Sequence, residues 1–309
     1  MSEPPLVVGF VASTLRLSVP LILASTGELV AERAGILNLS VEGMMLTGAL
    51  AGFLGAHYTG SLLVGWLLAI LAGAAVASIF GIFTICLRTH QVITALGINL
   101  LAVGATGFIY RTLFGFAALA PQVTPANPWA VPFLNQIPWL GMAVFSQTPL
   151  GYLAFALPPI VAWLLFRTPL GLSLRAVGEN ASAADAMGIS VVGIRFGATI
   201  FGGMLAGLSG AYLSTTTLNV FLENMTGGLG WIAVAIVIFG NWKPRGAVVG
   251  ALVFGGAEAL QLRLQALGIE IPREFIVMLP YVLTLAALAG LGRKSRSPAQ
   301  LCVPFFRTR

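Results

Sequence analysis

Charged residues are scarce in this chain. Asp, Glu, Lys and Arg make up 8% of its 309 residues, against about a quarter in a typical soluble domain. Hydrophobic residues account for 58%. So few charges cannot cover the surface of a water-soluble protein of this length. The composition predicts an all-α polytopic integral membrane protein.

Cysteine, histidine and the common catalytic motifs are also rare or missing. The cysteines, Cys86 and Cys302, lie far apart, and His57 and His90 fall at the ends of predicted helices, so neither pair predicts a disulfide or a metal site. The patterns GxxxxGK[ST], HExxH and GxSxG do not occur. We therefore expect a protein that is not an enzyme, and any uphill transport must draw its energy from a partner or an ion gradient.

Apolar runs long enough to cross a bilayer, which takes about 20 residues, recur along the whole chain. They predict a single transmembrane domain over 1–309 with about nine helices. The run 228–240 is short, which predicts a broken or re-entrant helix protected by protein. Small-residue pairs such as Gly48/Gly52 and Gly203/Gly207 predict close helix contacts. The predicted helices are 6–26, 40–56, 61–87, 92–114, 149–166, 196–214, 228–240, 246–266 and 274–291.

Basic residues set the predicted orientation. With the N-terminus outside, the outer segments hold Arg273 alone, so the positive-inside rule favours an N-out/C-in arrangement. Arg16 falls inside the first predicted span, where it snorkels, pairs with a carboxylate or marks an interfacial start. The basic residues of the inner segments are Arg33, Arg88, Arg167, Arg175, Arg195, Lys243, Arg245, Arg293, Lys294, Arg296, Arg307 and Arg309.

The longest inner segment, 167–195, contains the pattern of a short capped helix. Asn180 or Ser182 is suited to the N-cap, Asp185 follows Ser182 at capping-box spacing, and Gly188 is suited to the left-handed position after the helix. Such a helix either inserts into a groove on another protein or only connects two spans. The pattern leaves both alternatives open.

Polar residues inside predicted spans usually face protein or a water-filled path, because they are costly in lipid. In LVAERAGILNLSVEGMML (29–46), we expect Glu32 and Arg33 to be wetted at the inner side and to pair with each other. Asn38 and Glu42 are spaced to share one helix face, where they pin the helix start or border the path. Glu258 is either a path residue or part of an interhelical clamp. The predicted translocation-path residues are Asn38, Glu42, Thr94, Asn99 and Gln261.

Two outer segments carry further predictions. The Pro- and Trp-rich segment 115–148 is expected to cap the outer face, with Trp129 and Trp139 at the level of the lipid headgroups. In TTTLNVFLENMTGGLG (215–230), Glu223 and Asn224 either contact an extracytoplasmic protein or form a solvated turn.

Four segments, in order, carry a family resemblance. RAGILNLSVEGMML (33–46), VGENASAADAMGI (177–189), GLGWIAVAIVIFGNWKPRGAVVGALVFGGAEALQLRLQ (228–265) and MLPYVLTLAALAG (278–290) resemble the hallmarks of permeases of ribose-type, binding-protein-dependent ABC importers for purine nucleosides and simple sugars. The second resembles the coupling loop of that family. The resemblance covers nearly the whole chain.

The resemblance implies a ribose-type permease fold in the bacterial cytoplasmic membrane. It implies a second, identical or related permease chain, a cytoplasmic ATPase with two nucleotide-binding cassettes, and an extracytoplasmic solute-binding protein. ATP with Mg²⁺ is then hydrolysed by the ATPase, and the permease itself holds no cofactor. The form GILNLSVEGMML favours nucleosides over sugars. The ATPase-coupling residues it implies are Gly178, Glu179, Asn180, Ala183, Ala184, Asp185, Gly188 and Ile189.

Two other functions compete with this one. An ion-coupled secondary transporter would use Glu42 or Glu258 as its proton carrier. An intramembrane enzyme would need a nucleophile and a base, and the sequence shows no such constellation.

Overall fold

The computed structural model describes residues 6–115, 121–130, 141, 144–266, 278, 282 and 297–307. This part of the chain is built mainly of α-helices. π-helical turns, Ile82–Cys86 and Leu213–Thr217, extend α3 and α8, and the strands Trp129–Ala130 (β1) and Ser146–Gln147 (β2) pair antiparallel. The helices are α1 Leu6–Arg33, α2 Val41–Thr59, α3 Leu62–Gly81, α4 Gln91–Phe114, α5 Pro149–Arg167, α6 Pro169–Glu179, α7 Ala181–Ala186, α8 Val191–Tyr212, α9 Leu229–Phe239 and α10 Pro244–Ala266.

The predicted helical, membrane-spanning character is confirmed. Six helices among the described residues are long and apolar enough to cross a bilayer: α1, α3, α4, α5, α8 and α10. Apart from residues 278 and 282, the predicted helix 274–291 lies outside the described residues, and so does Trp139 in the predicted cap. The total of about nine spans therefore stays a prediction.

Helix α2 is mostly buried and packs against both α3 and α8, which also pack against each other. A methyl group added at Gly48 would collide with the backbone of Gly207 in α8, and one added at Gly203 would collide with Ala77 and with the backbone of Gly73 in α3. The predicted close contacts of small residues are confirmed. Association of helices in lipid depends on such packing, because lipid tails are as apolar as leucine.

The end of α1 corrects one prediction. The helix continues to Arg33, and Glu32 is fully buried instead of wetted. The indole Nε1 of Trp242 donates a hydrogen bond to Glu32 Oε2, and Arg33 Nε donates one to the carbonyl of Trp242 at 2.8 Å. Glu32 and Arg33 thus bind a turn about 200 residues away instead of each other. Arg16 is exposed, and continuous burial of α1 begins at Ser18.

Basic side chains collect at one end of the bundle, which we call the basic end. Arg33 lies over the ring of Phe166, whose neighbour in the chain is Arg167, and Arg195 donates to the carbonyl of Ala34 at 3.2 Å. The described basic residues of the predicted inner segments thus lie at the same end of the bundle, while the N-out/C-in orientation stays a prediction. The residues brought to this end are Arg33, Arg88, Arg167, Arg175, Arg195, Lys243, Arg245 and Arg307.

Candidate functional site

The short helix α9 begins at the buried carboxylate of Glu42, with Gly228 half-buried and Gly230 buried. Glu42 Oε1 accepts a hydrogen bond from the backbone N–H of Gly228 at 2.8 Å, and Oε2 accepts one from Gly230 at 2.7 Å. Glu42 is itself almost completely buried. A helix N-terminus carries a partial positive charge and unsatisfied N–H groups, so a carboxylate here stabilises the start of α9.

Glycine is required on the other side of this contact. Gly228 has φ +93°, in the left-handed region that favours glycine. A Cβ at Gly230 would lie 2.6 Å from Cα of Glu42, a distance that real side chains do not tolerate. The sequence Gly227-Gly228-Leu229-Gly230 therefore allows α2 and α9 to meet closely enough for the carboxylate to reach both N–H groups.

The chain leading into α2 is held from two other helices. Asn99 in α4 accepts from the N–H of Gly43 at 2.9 Å and donates to the carbonyl of Leu39 at 2.9 Å. Glu28 in α1 accepts from the N–H of Asn38 at 2.8 Å. Asn99 and Glu28 thus tie the chain at the start of α2 to α4 and α1, whereas the second carboxylate oxygen of Glu28 and the hydroxyl of Thr226 are buried without a hydrogen-bond partner among the described residues.

The structure brings three of the predicted path residues together. Asn38, Glu42 and Asn99 meet around the start of α2, although Asn38 lies before the helix and not on its face as predicted, because α2 begins only at Val41. Thr94 instead bonds to Thr89 and to the carbonyl of His90 at the start of α4. Gln261 is half-buried near the end of α10, which packs along α1. A role in translocation stays a prediction for all five.

The other end of α9 is also anchored by a carboxylate. Glu32 holds the indole of Trp242, which is almost fully buried in the turn between α9 and α10. Sequence reasoning missed this role for Glu32 and the role of Glu28. The available signal was their spacing of four residues, which places both carboxylates on one face of a helix.

The segment 167–195 forms α6, α7 and the start of α8. Asn180 is the N-cap of α7, where its Oδ1 accepts from the N–H of Ala183 at 3.0 Å. Gly188 adopts φ +82°, and the N–H of Ile189 bonds back to the carbonyl of Ala184 at 3.0 Å. Both predicted caps are confirmed, and the N-cap is Asn180 rather than Ser182. Hydrogen bonds thus close α7 at both of its ends.

The predicted coupling residues divide between two faces of this segment. Gly178 and Ala184 are buried, and a Cβ at Gly178 would collide with the carbonyl of Arg33, so these two positions support the segment from inside. Asp185 and Ile189 are half-buried. The exposed predicted residues are Glu179, Asn180, Ala183 and Gly188, and Met187 beside them is 83% exposed.

A C-terminal segment, residues 297–307, lies against α7, and sequence reasoning did not foresee it. Arg307 Nε pairs with Asp185 Oδ2 at 3.1 Å, and the N–H of Gln300 donates to the carbonyl of Gly178 at 2.9 Å. Arg195 Nη1 donates to the carbonyl of Val303 at 2.8 Å. The tail thus holds α7 to the ends of α1 and α8.

At the opposite end of the bundle, Glu223 forms a two-pronged ion pair with Arg111, at the end of α4. Arg111 Nε lies 2.6 Å from Glu223 Oε1, and both side chains are exposed. The hydrogen bonds from the guanidinium lower the pKa of Glu223. The neighbouring Asn224 is exposed, with φ +55°. The two alternatives predicted for Glu223 and Asn224, contact with an extracytoplasmic protein or a solvated turn, both stay predictions.

Comparison with known proteins shows the family of the chain. Residues 10–288 match the family model described as branched-chain amino acid transport system / permease component. The guanosine ABC transporter permease protein NupQ of Bacillus subtilis is 36% identical over 306 residues, which cover 96% of each chain. The nucleoside ABC transporter permease protein NupC of Lactococcus lactis subsp. cremoris is 35% identical, over 93% of each chain.

A third relative carries a sugar name. TsgC13 of Haloferax volcanii, provisionally named a glucose ABC transporter permease protein, is 41% identical over 268 residues, which cover 85% of this chain and 80% of that one. These matches confirm the resemblance to nucleoside and sugar permeases. The chain belongs to the permease-component family of the branched-chain amino acid transport system, and it is the membrane-spanning permease of an ABC importer.

Proposed function

We propose that this permease imports nucleosides, with a simple sugar such as glucose as the second candidate. The observation that carries the proposal is the full-length likeness to the guanosine permease, which covers 96% of both chains. The sugar candidate rests on TsgC13, which is more identical but matches a shorter part of the chain. Ion coupling through Glu42 is disfavoured, because both carboxylate oxygens are engaged at the start of α9.

The exposed surface of α7 is the proposed docking site for a cytoplasmic ATPase with two nucleotide-binding cassettes, which hydrolyses ATP with Mg²⁺. The closed caps at Asn180 and Gly188 support this, because a rigid helix transmits a push better than a loose loop does. Of the predicted contacts, the exposed ones, Glu179, Asn180, Ala183 and Gly188, are retained. Gly178 and Ala184 are proposed to support the helix from below.

The short helix α9 is the proposed moving part of the translocation path. It has 11 residues and spans about 16 Å at 1.5 Å per residue, about half of the hydrocarbon core. Half-helices whose N-termini lie at mid-membrane recur at the substrate sites of transporters. Motion of the basic end would reach α9 through Trp242, and Glu42 would hold the start of α9 in one of the two alternating states.

The orientation and the partners complete the proposal. The collected basic residues support an N-out/C-in chain of about nine spans in a bacterial cytoplasmic membrane, since the basic end would face the cytoplasm. The other end, with Glu223 and Asn224, would meet an extracytoplasmic solute-binding protein. A second permease chain, identical or related, would complete the transporter.

Docking is tested by one exposed substitution. Ala183→Arg puts a bulky charge on the open face of α7 and should abolish co-purification of the ATPase, while the permease still inserts and folds. The control is Asn127→Arg, an exposed position away from the basic end, which should leave co-purification unchanged. Wild-type recovery of the ATPase with Ala183→Arg would refute docking at α7.

The substrate is tested by uptake into cells that contain the whole transporter. Labelled guanosine should accumulate, unlabelled nucleosides should compete with it, and glucose in hundredfold excess should not. Competition by glucose but not by nucleosides would replace the first candidate with the second.

A further inference from the structure

A groove opens at the basic end between the last turns of α5 and the first turn of α10. Its volume is about 720 Å³, and its lining includes Trp163, Phe166, Arg167, Lys243 and Arg245. Of the segment 167–195 only Arg167, the last residue of α5, lines the groove, and neither α7 nor the start of α9 contributes to the lining. The groove is therefore separate from the site described above.

Three cationic side chains converge on the groove. Arg167, Lys243 and Arg245 are all exposed, and no carboxylate in the described part of the chain forms an ion pair with any of them. Like charges gathered on one surface repel each other and attract an anion. Guanidinium and ammonium groups together suit a phosphate, which accepts several hydrogen bonds at once.

The turn that carries Lys243 and leads into α10 is anchored to the interior of the protein. Lys243 follows Trp242, whose side chain is buried and bonded to Glu32, and whose carbonyl accepts from Arg33 Nε at 2.8 Å. Asn241 and Trp242 both have positive φ, 53° and 51°, which shapes a tight turn directly before α10. Because α10 starts at Pro244, its first free N–H groups lie at the same edge.

Exposed apolar side chains flank the cations on both helices. Trp163 is 63% exposed and Ile160 54% exposed along α5, and Val249 is 61% exposed on the turn of α10 after Arg245. Both helices are long and apolar enough to cross a bilayer. Tryptophan is enriched at membrane borders, where one side of the ring is apolar and the other wet. The arrangement of phosphate-binding cations beside an apolar wall matches a phospholipid better than a soluble phosphate.

We propose that this groove binds the phosphodiester headgroup of an anionic phospholipid, with an acyl chain lying against the exposed apolar residues of α5 and α10. Basic pockets between helices at the cytoplasmic border bind such headgroups in other membrane proteins. The bound lipid would fix the turn between α9 and α10 at the membrane border. It would thereby hold the end of α9 through Trp242.

The test compares lipids on the purified full-length permease with its partner subunits. In native mass spectrometry and thermal unfolding, phosphatidylglycerol should be retained and should stabilise the protein, whereas phosphatidylcholine and free glycerol 3-phosphate should not. The triple variant Arg167→Gln, Lys243→Gln and Arg245→Gln should bind phosphatidylglycerol at least tenfold more weakly. Its thermal stability without added lipid should stay close to that of the wild type, which shows that it folds.

A second triple variant removes the same charge elsewhere. Arg16→Gln, Arg88→Gln and Arg307→Gln should retain phosphatidylglycerol affinity within twofold of the wild type. Equal weakening in both triple variants would overturn the proposal, because it would indicate attraction to the whole charged surface. Full stabilisation by glycerol 3-phosphate, or a crosslink from Trp163 to a second permease chain that excludes lipid, would also overturn it.

Discussion

Replacing Glu42 tests how the start of α9 is held. The carboxylate satisfies two backbone N–H groups at the start of the helix, that of half-buried Gly228 at 2.8 Å and that of buried Gly230 at 2.7 Å. A buried donor left without a partner costs about 1–3 kcal/mol. Glu42→Ala orphans both donors, so we expect α9 to lose about 2–6 kcal/mol of local stability. Glu42→Gln keeps one acceptor oxygen and should lose about 1–3 kcal/mol, together with the favourable interaction of the charge with the helix dipole.

Hydrogen exchange of the α9 amides in lipid nanodiscs measures this loss directly. A change of about 2 kcal/mol accelerates exchange through local opening roughly 30-fold, since each 1.4 kcal/mol corresponds to a factor of ten. Residues 229–239 should exchange fastest in Glu42→Ala, more slowly in Glu42→Gln and slowest in the wild type, while α3 stays protected.

The control for Glu42 removes a carboxylate that is exposed. Glu179→Ala lies at the end of α6 and should leave the exchange of α9 unchanged. Wild-type protection of α9 in a folded Glu42→Ala protein would refute the reasoning, because the carboxylate would then not hold the helix.

Three further predictions concern other parts of the molecule. Gly207→Val should destabilise the bundle by about 1–3 kcal/mol or more through overpacking, because its side chain would collide with the backbone of α3. Gly197→Val on the same helix meets open space and should lower the thermal midpoint much less. Arg195→Ala removes two hydrogen bonds to carbonyls, each worth about 1.5–3 kcal/mol when the donor is charged, and should make 300–307 sensitive to protease while α8 stays protected. The pKa of Glu223 is lowered in the folded protein, so its ion pair with Arg111 contributes fully to stability above the unfolded-state pKa of about 4.3. This contribution is lost as the pH falls through the lower folded-state pKa. The stability difference between the wild type and Glu223→Gln should therefore shrink only below about pH 4.

Local patterns in the sequence predicted much of the fold. Apolar runs located eight helices, and Asn180 and Gly188 marked the two ends of α7, because spans and caps depend on neighbouring residues. Small-residue spacing predicted that Gly48 and Gly207 take part in close helix contacts, but not that they meet each other, because the spacing does not say which helices are neighbours.

Long-range polar contacts could not be predicted in the same way. Glu32 looked like part of a wetted loop because its partner, Trp242, lies 210 residues further along the chain. Glu42 stood out as a buried charge, but only the fold shows that it meets Gly228 and Gly230. The tail over α7 was missed for the same reason, since the pair of Arg307 with Asp185 joins residues 122 positions apart.

The energy source of uptake tests the account most directly. In proteoliposomes that contain the permease, its ATPase and its binding protein, nucleoside uptake should require ATP with Mg²⁺ on the side of the basic end. It should continue when ionophores abolish all ion gradients, and Glu258→Gln should keep it within about twofold of the wild-type rate, a change below 0.5 kcal/mol. Uptake that proceeds without the ATPase, follows a proton gradient and disappears in Glu258→Gln would contradict the account.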